Sequence, residues 1–140
     1  MTKRISAMVP TEDREQTLTV VYLAKRNIPY FSIGNGGFRN LKEAVKLKRT
    51  GTMPGIPDLM IPVARSSYHG LFLEMKRIRG GRISDSQAFW MAKLRSEGYR
   101  VEVCAGFDQA KLFIDEYFQE KPYVGTRTRH SFEDEIPNLG

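Results

Sequence analysis

Residues 55–84 read GIPDLMIPVARSSYHGLFLEMKRIRGGRIS, and the segment LFLEMK inside them, residues 71–76, decides how the chain is built. Leu71, Phe72, Leu73 and Met75 are apolar, and Glu74 and Lys76 interrupt them. So short and apolar a run, opened by Gly70, has the pattern of a buried strand. Side chains alternate along an extended chain, so Leu71, Leu73 and Met75 face one way and Phe72, Glu74 and Lys76 the other. A lone charge is costly in such a strand, so Glu74 needs company. The preceding segment DLMIPVA, residues 58–64, reads as a second strand, joined to the first by the polar turn RSSY. If the two pair as a hairpin, Asp58 at the start of one lies near the end of the other, beside Glu74 and Lys76.

Two carboxylates brought together repel each other unless a proton or a cation lies between them. Oxygen ligands of this hard type suit Mg²⁺ or Mn²⁺. Such an ion polarises a phosphate oxygen and lowers the pKa of bound water. Lys76, a point charge beside it, can hold that water or stabilise negative charge growing on phosphorus. The competing reading is a plain salt bridge on a solvated sheet face, the commoner fate of Glu-x-Lys.

Working outward, TEDREQTLTVVYLAKRN (11–27) predicts a helix with Thr11 at its N-cap and acids in its first turn. Glu12 and Gln16 lie one turn apart and in line with Val20 and Leu23, on the inward stripe. Glu15 competes with Glu12 for the inward acidic position, and the spacing to Val20 and Leu23 favours Glu12. IPYFSI (28–33) reads as a short strand, NGGFRN as a turn, and Leu41 to Arg49 as a basic helix closed by GTMPG. SDSQ is a capping box, with Ser84 at the N-cap and Gln87 three residues on, opening a helix to Glu97. Gln87 aligns there with Trp90, Met91 and Leu94. YRVEVCA (99–105) is a further strand and DQAKLFIDEYF (108–118) a last helix, with Ala110, Phe113, Ile114 and Tyr117 on one stripe. Leu112 and Phe118 fall outside that stripe, which hints at a subunit interface. The order implies an α/β fold, a central mixed sheet flanked by helices.

The 140 residues suit one domain, expected over 1–121, followed by a polar tail over 122–140. With 41% hydrophobic and 27% charged residues, the chain is ordinary globular material rather than a disordered polymer. Its apolar runs are too short to span a bilayer and no signal-peptide core follows MTKR, so an intracellular location is expected and no membrane partner. One cysteine excludes an internal disulfide and, with two histidines, argues against a zinc site. Cys104, within RVEVCA, is expected to be a core thiol, and His69 and His130 structural or exposed. A formal charge of +6 and a pI near 9.6 are compatible with a polyanionic partner.

At this point GIPDL, LFLEMK and GGRISDSQ, with Trp90 and Leu94 following on the helix, resemble the virus-type replication-repair nuclease (VRR-NUC) domain, of the PD-(D/E)XK nuclease superfamily. The likeness runs from about residue 11 to 117 and includes TEDREQ and the GNGGFR loop. It implies a restriction-endonuclease-like core and a Mg²⁺- or Mn²⁺-dependent phosphodiesterase acting on DNA. The metal-binding carboxylates fall on Asp58 and Glu74, the lysine on Lys76, the helix-one acid on Glu12 and the glutamine on Gln87. The Met75 carbonyl, whose backbone lies between the two acids, is expected as a further ligand. Short members are similar to Holliday-junction resolvases, which implies a homodimer acting on branched DNA in a bacterial or phage-infected cell. Nucleases of flaps, nicks or ends, and a non-catalytic DNA-binding accessory protein, are the alternatives. SIGNGGFR departs from nucleotide-loop patterns, but Arg39, with Lys42, Lys46, Lys48, Arg49, Arg77, Arg79 and Arg82, is expected to contact phosphates.

Overall fold

The computed structural model describes residues 8–34, 40–119 and 123–125. The elements are α1 (Glu12–Lys25), β1 (Phe31–Ser32), α2 (Leu41–Arg49), β2 (Leu59–Ile61), β3 (Leu71–Lys76), α3 (Asp85–Ser96), β4 (Arg100–Ala105) and α4 (Phe107–Gln119). Their order is the one the sequence patterns predict. The strands form one mixed sheet in the order β1-β2-β3-β4, antiparallel except for the parallel β3–β4 pair. Central β3 is buried from Leu71 to Met75.

Two strands are shorter than expected, for one reason. Proline has no N–H for the ladder, so β2 stops at Ile61, before Pro62, instead of continuing to Ala64. β1 begins only after Pro29 and pairs just Phe31 with Met60 and Ser32 with Leu59. The RSSY turn forms as expected, with Arg65 and Tyr68 exchanging backbone hydrogen bonds.

Alternation on β3 sorts the core. Leu71, Leu73 and Met75 pack with Leu59, Ile61 and Cys104 against Leu23 of α1 and Ala110, Ile114 and Tyr117 of α4. Phe72 packs on the opposite face with Val101 and with Met91 of α3. Burial drives the Cys104 thiol pKa up to about 12, so this is an inert core thiol. Phe118 packs against the first core, which leaves Leu112 as the exposed apolar side chain of α4 and weakens the hint of an interface there.

The inward stripe of α1 is set one residue away from the expected line. Glu15, Thr19 and Leu23 are the buried residues, Val20 is partly buried, and Glu12 and Gln16 lie toward the edge. The cause is tertiary. Glu15 Oε2 accepts the Phe107 N–H at 2.6 Å, so this acid caps the N-terminus of α4, where a helix favours negative charge. Glu15→Ala is therefore expected to lower unfolding free energy by about 2 kcal/mol. An unchanged urea midpoint in that variant would contradict the capping role.

Helix α2 has Asn40 as its N-cap and buries none of its own residues. No helix among the described residues is long and apolar enough to cross a membrane.

Candidate active site

The β2–β3 register pairs Leu59 with Leu73. One step further along the antiparallel ladder, Asp58 stands opposite Glu74, where cross-strand side chains are neighbours. Hydrogen bonds from backbone N–H groups of both neighbouring strand segments hold Asp58 in place. Its carbonyl accepts the Ile33 N–H at 2.8 Å, and its Oδ2 accepts the Met75 N–H at 2.7 Å. The N–H and C=O of one strand residue point to the same edge, so the Met75 carbonyl also faces the Asp58 side.

Glu74 is 3% exposed. Its Oε1 accepts Gln87 Nε2 at 2.9 Å and lies 3.3 Å from Lys76 Nζ. Gln87 Oε1 in turn accepts Lys76 Nζ at 3.2 Å and the Ser84 N–H at 3.0 Å, which completes the capping box. One amide thus closes the first turn of α3 and orients both Glu74 and Lys76. The capping and site readings of Gln87 are two halves of one arrangement. Among the described residues, Glu74 Oε2 and Asp58 Oδ1 receive no hydrogen bond. Each acid keeps one unspent oxygen.

Two glycines fix this geometry, and the sequence patterns did not single either of them out. Gly55, at φ +93°, lies so close to the start of α3 that a Cβ there would sit 2.5 Å from the Ser86 carbonyl carbon. A Cβ on Gly81 would sit 2.9 Å from Lys76 Cβ, so this loop residue covers the lysine stem. Their only sequence signal is their place in PGIPD and GGRIS, next to the chemistry.

Electrostatics follow from burial. Desolvation raises the Glu74 pKa from its ordinary 4.5 to about 7, and the Asp58 charge adds to the rise while Lys76 opposes it. Asp58 is raised as well, chiefly by desolvation, and Glu12 pushes both acids upward. Between about 4.5 and 7 the folded state binds a proton that the unfolded chain has lost. This group's contribution is thus fully present below pH 4.5 and is lost as pH rises to about 7. In EDTA, thermal stability should fall over that window, and Glu74→Gln should flatten the slope. An equal slope in the variant would exclude Glu74 as its source.

The other expected site residues are dispersed. Glu12 is exposed, and no group of three His, Cys, Asp or Glu side chains suited to a metal ion occurs among the described residues. Its charge nonetheless reaches Asp58 and Glu74, while Glu15 is committed to α4. Lys42 and Lys46 are exposed on α2, and Arg77, Arg79 and Arg82 are exposed between β3 and α3. Arg39, His130 and residues 35–38 of the turn lie outside the described residues. His69 is exposed and packs edge-on against Tyr99, apart from the acids.

Known proteins resemble this chain over most of its length. The family model for the VRR-NUC domain matches residues 15–108, a span that holds Asp58, Glu74, Lys76 and Gln87. A solved chain described as "VRR_NUC domain protein" is 28% identical, with a TM-score of 0.66. That match covers 88% of this chain and 100% of the other. No curated protein matches the sequence. With a mixed sheet flanked by helices, a restriction-endonuclease-like core and this match over most of its length, the chain belongs to the VRR-NUC family of nuclease-type domains.

Proposed function

We propose that this domain is a Mg²⁺- or Mn²⁺-dependent DNA endonuclease that hydrolyses phosphodiester bonds, with a preference for branched, junction-like DNA. The observation that carries the reading is the pair of unspent carboxylate oxygens, one each on Asp58 and Glu74, beside Lys76. A buried and a half-buried acid, both with raised proton affinity, are a poor way to stabilise a sheet and a good way to hold a hard dication. Asp58, Glu74 and the Met75 carbonyl would hold the ion, with Glu12 acting on it through water. Bound there, the ion would polarise the scissile phosphate and lower the pKa of a water molecule.

The residues around the acids do the positioning. Gln87 holds one Glu74 oxygen beside Lys76, which would leave the other oxygen for the ion. Lys76 holds the attacking water and offsets charge growing on phosphorus. Exposed Lys42, Lys46, Arg77, Arg79 and Arg82 contact the DNA backbone, which aligns the duplex without reading its bases. A junction has paired strands to cut, so a twofold dimer presenting two such sites matches its symmetry.

The test is cleavage of labelled four-way junctions, flaps and linear duplexes with Mg²⁺, with Mn²⁺ and with EDTA. Junction cutting that needs the ion and exceeds cutting of the other two is the expected result. Equal cutting of all three removes the resolvase-like preference. A gel shift with no ion-dependent cleavage would identify a DNA-binding accessory protein instead.

A further inference from the structure

A cleft of about 470 Å³ opens between α1 and β1, lined by Asp13, Gln16, Thr17, Val20, Tyr30 and Ser32. Both of its walls are tied to the acidic centre. On the strand side, Ser32 pairs with Leu59, and the next residue, Ile33, donates its N–H to the Asp58 carbonyl. On the helix side, Asp13 directly follows Glu12, the helix-one acid of the proposed site, in the first turn of α1. The cleft therefore adjoins the place where the proposed reaction occurs.

Its lining selects among the parts of a nucleic acid. Among the described residues, Asp13 is the charged one that lines the cleft, and no described lysine or arginine lines it. A phosphate would be repelled by Asp13 and would find no counter-charge among the described lining residues. A neutral heterocycle would meet suitable partners. The Tyr30 ring offers a face for stacking, the Gln16 amide offers both a donor and an acceptor, and Asp13 accepts from an exocyclic amino group. The Gln16 side chain makes no hydrogen bond to another described residue, and Tyr30 is partly buried against the core. The volume lies in the range of pockets for small ligands, ~300–1,000 Å³.

We infer that this cleft is a nucleobase subsite, taking one unstacked base of the DNA strand next to the phosphate held at Asp58 and Glu74. This deepens the nuclease reading and rests on it for the position of the phosphate, but base capture can be measured without turnover. A base drawn into the cleft must leave its stack, which is easiest at a branch point or in single-stranded DNA. The subsite thus supplies a physical source for selectivity toward branched DNA that the phosphate-contacting cations lack.

The experiment uses oligonucleotides carrying 2-aminopurine at one position at a time, bound by the full chain in Ca²⁺. The expected result is a change of emission confined to one or two adjacent positions. Gln16→Ala combined with Tyr30→Leu should abolish that change and weaken binding about tenfold. Gln16→Ala alone, which touches no core contact, should give a partial loss, and circular dichroism should be unchanged. No position-dependent emission, or a signal indifferent to Gln16→Ala, overturns the subsite. Failure of the nuclease reading shows separately, as absence of cleavage in Mg²⁺ and Mn²⁺ while the emission signal persists.

Discussion

Lys76→Ala is expected to lower the rate of DNA cleavage by about 10²–10³-fold, with the fold and DNA affinity close to those of the parent. The ammonium sits 3.3 Å from Glu74 Oε1 and 3.2 Å from Gln87 Oε1, so it is held by two acceptors rather than free to wander. Removing it subtracts the charge that opposes protonation of Glu74. Glu74 would then keep its proton to a higher pH, and the acidic limb of the rate profile should move upward. Lys76→Met is the companion variant, because it preserves the stem under Gly81 and removes only the charge. Single-turnover rates across pH 6–9, about the range that spans the Glu74 titration, provide the measurement. A near-normal rate in Lys76→Met would refute the assigned role.

Gly55→Ala should be nearly as damaging although it removes no chemistry, costing about 3 kcal/mol of stability together with most of the activity. The new methyl group would meet Ser86 C at 2.5 Å, Ser86 O at 2.6 Å and Gln87 N at 2.8 Å. These are backbone atoms and cannot rotate aside. Either the loop before Asp58 or the first turn of α3 must shift. Either movement separates Asp58 from the Gln87, Glu74 and Lys76 set. Gly51 provides the control. Its φ of +107° makes alanine strained, but nothing lies within 4 Å, so Gly51→Ala should cost about 1 kcal/mol and leave the site intact. Urea midpoints and cleavage rates of the two variants should diverge. Equal effects would mean that the close approach at Gly55 is not what holds the site.

Much of this molecule was legible locally, because caps and strand alternation act over two to four residues. Ser84 and Gln87 announce the start of α3, and alternation in LFLEMK separates Leu71, Leu73 and Met75 from Phe72, Glu74 and Lys76. The hairpin reading that places Asp58 beside Glu74 needed only the two apolar runs and the turn between them. The limits of β1 and β2 depended on which ladder partners the prolines removed.

What tertiary structure alone decided involves positions that differ little in local pattern. Glu12 and Glu15 are one helical turn apart, and a hydrophobic stripe cannot rank them. The N-terminus of α4, brought in by the chain from Gly106, claims Glu15, while Glu12 stays exposed with its charge acting on Asp58 and Glu74. The same holds for Gly55 and Gly81, whose need for a missing side chain exists only once Ser86 and Lys76 have arrived against them. The sequence by itself determined the order of elements and the acid–acid–lysine set, since these follow from short-range periodicity. The assembled sheet decided which oxygens stay unpaired and which cleft lies beside them, because both depend on residues far apart in the chain.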